Sequence, residues 1–115
     1  MKRLVVLLNI IMRQNLIQDF NTMTESQIER AACLYAKSLG MLAYKFTSPG
    51  RAGVPDRVFL TPTGGVFFVE FKCATGKLSA LQKNEHRIIR KHGHDVYVAW
   101  DFNEAKKIID EYIYE

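Results

Sequence analysis

Cysteine occurs only twice in the 115 residues, as Cys33 and Cys73, and never as CxxC. That scarcity excludes a disulfide framework and a cysteine-rich zinc cluster, and fits reduced thiols in a cytosolic protein, packed as small hydrophobes. Proline is equally scarce, with three residues. There are no internal repeats, low-complexity tracts or linker-like stretches, so the length corresponds to a single domain. The three histidines lack ligand spacing. His92-Gly93-His94 falls across a predicted helix end, and neither it nor His86 has a cysteine near in sequence, so no histidine-based metal site is expected. Long hydrophobic runs are missing too. The stretch Leu4 to Met12 follows Lys2-Arg3, contains Asn9 and is too short to span a bilayer. It has the outline of a secretion signal, but Arg13-Gln14-Asn15 follows with no small-residue cleavage site. Residues 1–22 therefore read as an extension of unknown role. It is either a peripheral extra element or a consequence of start-codon choice, because Met23 stands directly before a strong helix start.

What is present describes a folding globular domain. Hydrophobic residues make up 48% of the chain and charged residues 24%. The net charge of +4 and the pI of about 9.2 suit a polyanionic partner without specifying one. A domain this small buries one modest core, and oligomerisation would help it.

Thr24-Glu25-Ser26-Gln27 is a capping box, and Ile28, Ala31, Ala32, Tyr35 and Leu39 recur behind it at helical spacing until Gly40. A helix is predicted from about Glu25 to Leu39. Strands are predicted over 41–46, 56–60 and 66–72. The loop 47–53 separates the first two, and Thr61-Pro62-Thr63-Gly64-Gly65 joins the second and third as a hairpin. Ser79-Ala80-Leu81-Gln82 is a second capping box, opening a helix over 80–91 that stops at Gly93. A strand over 96–100 and a helix over 103–114 complete the chain, the latter with Ala105, Ile108, Ile109, Tyr112 and Ile113 on its buried side. Tyr97 and Trp100 read as core or interface aromatics. The fold class is α/β: an α-β-β-β-α-β core with a C-terminal helix, in which a central mixed sheet is flanked by helices.

The hairpin carries the chemistry. Strand alternation sets Glu70 and Lys72 on one face and Phe71 on the other. With the five-residue loop centred on Thr63, Leu60 opposes Val66, Val58 opposes Phe68, and Asp56 opposes Glu70. Opposed residues have Cβ atoms roughly 4.5–5.5 Å apart, so two carboxylates would stand side by side with Lys72 one step further on. Such a pair among apolar neighbours is costly to ionise. A divalent cation with hard oxygen ligands removes the conflict. Lys72 could then orient or help deprotonate a water, or stabilise a phosphorane-like transition state as a cation.

Gly53-Val54-Pro55-Asp56, a hairpin, and Glu70-Phe71-Lys72 together resemble the signature of PD-(D/E)xK nucleases. Thr24-Glu25 at the first helix and Leu78-Ser79-Ala80-Leu81-Gln82 at the second narrow the resemblance to the VRR-NUC group, the virus-type replication–repair nucleases. That group includes stand-alone phage and bacterial proteins and the nuclease domain of the Fanconi-associated nuclease. The resemblance spans about Thr24 to Trp100, and residues 23–115 are taken as the nuclease domain. It implies a Mg²⁺-dependent endonuclease, Mn²⁺ substituting, in which Asp56, Glu70 and the backbone carbonyl of Phe71 hold the metal and Lys72 is the catalytic lysine. Glu25 matches the first-helix acid that binds the metal directly or through water, with Glu29, one turn on, as the alternate. Gln82 matches a glutamine that touches the metal-bound water or the DNA, although its capping box alone would account for it.

Phosphate contacts are expected from Arg51 in the loop before Asp56, from Lys45, from Lys77 ahead of the second helix, and from Lys83 on it. By analogy with small relatives, the expected substrate is branched DNA such as a four-way junction, cut by a homodimer in the cytoplasm of a bacterial or phage-infected cell. Two other readings remain: a non-catalytic DNA-binding module, and a nuclease subunit that needs a partner such as a helicase.

Overall fold

The computed structural model describes residues 2–17 and 23–113. Its elements run α1 (Lys2–Ile17), α2 (Glu25–Ser38), β1 (Leu42–Lys45), β2 (Arg57–Leu60), β3 (Val66–Phe71), α3 (Ala80–Lys91), β4 (Asp95–Ala99) and α4 (Phe102–Asp110). The sheet order is β1-β2-β3-β4; the first two pairings are antiparallel, and β3 and β4 are parallel across the α3 crossover. This is the mixed sheet flanked by helices expected from the sequence.

Both capping boxes form. Thr24 Oγ1 accepts from the Gln27 N–H at 3.2 Å while Gln27 Oε1 accepts from the Thr24 N–H at 3.0 Å. Ser79 and Gln82 repeat the exchange at 3.1 and 2.9 Å. These bonds satisfy donors that a helix start otherwise leaves orphaned. The hairpin loop closes without a bulge: the Thr61 N–H donates to the Gly65 carbonyl, and Thr61 Oγ1 accepts from the Gly65 N–H. Gly64 there has φ +93°.

Phe59, Phe67, Val69 and Phe71 point to one sheet face and are buried with Ile28, Ala31 and Ala32 of α2 and Phe102, Ala105 and Ile109 of α4. The alanines let α2 lie close to the sheet. Phe67 stacks between Phe59 at 5.0 Å and Tyr112 at 4.1 Å between centroids. A buried ring of this kind contributes roughly 1.5–3 kcal/mol from area alone. The other face, carrying Phe68 and Glu70, receives α3.

One reading needs correction. The last helix ends at Asp110 and continues as turns, which leaves Ile113 38% exposed instead of buried; Tyr112 still reaches the core, and Tyr114 lies outside the described residues. In the extension of unknown role, residues 2–17 form a helix against α2 with Leu8 in the core and Ile11 and Met12 packed on it. Residues 18–22 lie outside the described residues. Among the described residues, no helix is long and apolar enough to cross a membrane.

Candidate active site

The hairpin register fixes the site. Arg57 pairs with Val69, Val58 with Phe68, Phe59 with Phe67 and Leu60 with Val66, the alignment that a loop centred on Thr63 requires. Pro55 precedes Asp56 and has no N–H to offer, so the β2 ladder ends there. Asp56 takes over at that point: its Oδ2 accepts from the Phe71 N–H at 2.8 Å, while its own carbonyl accepts from the Phe46 N–H at 2.9 Å. One aspartate thus ties the loop, β1 and β3 together. The Lys72 N–H extends the parallel ladder to the Ala99 carbonyl.

Phe71 faces the core and is 1% exposed, so Glu70 and Lys72 face the other way, under α3. Glu70 is itself 3% exposed. Its Oε2 accepts from Gln82 Nε2 at 3.0 Å and lies 3.7 Å from Lys72 Nζ. Its Oε1 is buried without a partner. Gln82 therefore forms its expected capping box through Oε1, while its Nε2 holds the Glu70 carboxylate, a contact the sequence reading did not include. Burial is the largest cause that pushes the Glu70 carboxyl up to about 7. The Asp56 charge and, less strongly, the Glu25 charge add to it, and Lys72 opposes it. Asp56 is raised as well, by burial first and against the Phe71 N–H bond.

Among the described residues, no three His, Cys, Asp or Glu side chains converge as a cation cage. What does converge is two carboxylates that repel each other, one with an orphaned oxygen. Those hard oxygen donors are of the kind that a divalent cation takes. The Glu25 charge reaches Glu70, and a Cβ on Gly76 would lie 3.2 Å from Glu25 Oε1. Glu29 is committed elsewhere: it pairs with Lys45 at 3.0 Å and with Arg57 at 3.1 Å.

The sequence model of the VRR-NUC domain matches residues 4–100. The chain belongs to the VRR-NUC family. A solved VRR-NUC domain superposes with a TM-score of 0.71 at 33% identity, over 78% of this chain and 99% of that one. A candidate nuclease, p44 of Acyrthosiphon pisum secondary endosymbiont phage 1, is 42% identical over 74 residues, which is 64% of this chain and 80% of the phage protein. The mixed sheet with its flanking helices is thus a VRR-NUC nuclease fold.

Around this VRR-NUC site, the expected phosphate contacts divide into two kinds. Lys77 and Lys83 are exposed. Arg51 and Lys45 already have partners: Arg51 forks onto the buried Glu85 at 2.8 and 2.9 Å, and Lys45 is on Glu29. The Arg51 pair ties the loop before Asp56 to α3. Gly53 deepens that contact, since a Cβ there would stand 2.5 Å from the Leu81 carbonyl oxygen.

Three groups were not found from the sequence. Arg57, Glu85 and His86 show no motif that marks them. His86 is 1% exposed with both ring nitrogens unpartnered, and burial lowers its pKa. It lies one helical turn beyond Gln82 on the side of α3 that faces the sheet, so the spacing from Gln82 was the available signal. Tyr97 fits its expected place, hydrogen-bonded to Tyr112 and edge-on to Phe67.

Proposed function

We propose that this VRR-NUC nuclease is a Mg²⁺-dependent, structure-specific DNA endonuclease, with Mn²⁺ able to substitute. The observation that carries the reading is the Asp56–Glu70 pair beside Lys72, with Glu70 Oε1 buried and unsatisfied. Asp56, Glu70 and the Phe71 carbonyl would hold the ion, with Glu25 reaching it directly or through water. When bound, Mg²⁺ supplies Lewis-acid polarisation and offsets negative charge at the scissile phosphate.

The chain's own groups do the rest. The Phe71 N–H fixes the Asp56 carboxylate, and Gln82 fixes Glu70, so neither has to reorganise during reaction. Lys72, 12% exposed at its side chain, presents a cation in a partly water-excluded site. There it can donate to a non-bridging phosphate oxygen as charge builds, or orient the attacking water. Arg51, Lys77 and Lys83 supply phosphate contacts outside the centre, Arg51 by exchanging Glu85 for a phosphate. A four-way junction cut by a two-fold homodimer is the substrate geometry we favour, because two symmetric sites suit paired incisions.

The test is cleavage of labelled four-way junction, flap, nicked and linear duplex DNA with Mg²⁺ or Mn²⁺, beside Lys72→Ala. Wild type is expected to cut the junction at paired positions, and the variant to lose about two to four orders of magnitude in rate while remaining folded. Cleavage of another DNA instead would overturn the junction assignment, and undiminished cleavage by Lys72→Ala would overturn the role of the lysine.

A further inference from the structure

Three buried polar side-chain atoms have no hydrogen-bond partner among the described residues: Glu70 Oε1 and the two ring nitrogens of His86. Native interiors rarely leave such atoms orphaned, because each then costs the full desolvation of a polar group. His86 is 1% exposed, so solvent does not serve the ring. Burial first, then the charges of Arg90 and Lys72, lower its pKa, with Glu85 opposing them. The ring is therefore neutral at neutral pH, with one N–H donor and one acceptor nitrogen. Packing alone would be better served by leucine, which fills similar space without a polar atom to desolvate.

The neighbours of His86 on α3 fix its place over the sheet. Gln82, one turn before it, donates to Glu70 Oε2 at 3.0 Å. Arg90, one turn after it, donates to the Val96 carbonyl at 2.6 Å. Residues four apart share a helix face, roughly 6 Å apart along the axis. In the sheet, Val98 is the register partner of Glu70, and Val96 that of Phe68. His86 therefore lies over the step from the Glu70 row to the Phe68 row, beside the carboxylate that Gln82 already holds. Of those four strand residues, only Glu70 has a polar side chain. Resting on the nuclease reading above, we infer that His86 is a positioning residue for Glu70: its ring N–H serves Oε1, directly or through one ordered water, while Gln82 serves Oε2. Each carboxylate oxygen has two acceptor directions, so Oε1 can take the ring and still face a cation. Two donors from one stripe of α3 then hold the carboxylate against rotation, which is why a polar ring is kept in this layer.

The first measurement is the ring-nitrogen NMR spectrum of the histidines in metal-free protein, which reads the tautomer of His86. One neutral tautomer should dominate in wild type, because the contact fixes which nitrogen carries the proton. Glu70→Met removes the acceptor at similar volume and should mix the tautomers. The second measurement is Mn²⁺ affinity, read from the paramagnetic resonance of the free ion. His86→Leu should weaken it about tenfold or more, the usual effect of losing a partner that orients a metal ligand. His86→Gln, which keeps an amide donor, should recover most of that loss. Urea unfolding checks that each variant folds. Mixed tautomers in wild type, or a ring spectrum unchanged in Glu70→Met, overturn the inference, as does wild-type Mn²⁺ affinity in His86→Leu. Equal weakening in the Gln and Leu variants overturns it as well, because a packing change would then account for both. A wild-type protein that binds no Mn²⁺ and cuts no DNA refutes the nuclease reading, while the ring spectrum still decides the contact between His86 and Glu70.

Discussion

Glu70 concentrates the conflict in this molecule. A glutamate normally titrates near 4.5, and here burial and Asp56 raise it to about 7. Between those values the folded protein keeps a proton that the unfolded chain has released, so stability falls as pH rises through that window. Glu70→Gln removes the titration and keeps an amide within reach of Gln82. In metal-free buffer the variant is expected to melt above wild type at pH 8, and the two should converge near pH 4. Adding Mg²⁺ at pH 8 should raise the melting temperature of wild type and leave Glu70→Gln almost unmoved. If the variant melts lower at pH 8, the Lys72 contact at 3.7 Å outweighs the desolvation and the conflict is not there.

At the scale of elements, the site depends on how the loop before Asp56 meets the start of α3. Arg51 and Glu85 join them through side chains, and Gly53 joins them through backbone. Gly53 has φ +90°, and any Cβ would run into Leu81 backbone at 2.5 Å, which a side-chain rotation cannot relieve. Gly53→Ala should cost on the order of 2–4 kcal/mol in urea unfolding, from left-handed strain and overpacking together. It should also slow cleavage, because the loop that aims Asp56 is displaced from the helix that aims Gln82. Gly50, three residues earlier, meets nothing within 4 Å. Gly50→Ala is the matched control and should stay within about 0.5 kcal/mol of wild type.

For the whole molecule, the question is how far the core extends. Leu8 of α1 is 4% exposed and belongs to the same cluster as Ile28 and Phe71, whereas Val6 of the same helix is 57% exposed. Leu8→Ala should lower stability by roughly 2–4 kcal/mol, and Val6→Ala by less than about 0.5 kcal/mol. Equal, small effects in chemical denaturation would mean that α1 is not part of the cooperative unit.

The sequence by itself determined the core elements, the hairpin register and the placing of Asp56 and Glu70 together beside Lys72. Those follow from local rules: capping boxes at Thr24 and Ser79, alternation along 66–72, and a five-residue loop whose centre dictates which residues oppose. Asp56 and Glu70 could be paired on paper because a hairpin is a local structure. The partners of Glu29, Lys45 and Arg51 could not. Each of these charges chooses among several opposite charges that lie far apart in sequence, and only the packing of α2 and α3 on the sheet decides which is near. The docking of α1, the burial of His86 and the turning-out of Ile113 belong to the same class. An apolar run or a helical period says that a face is buried, while what covers it depends on the tertiary arrangement.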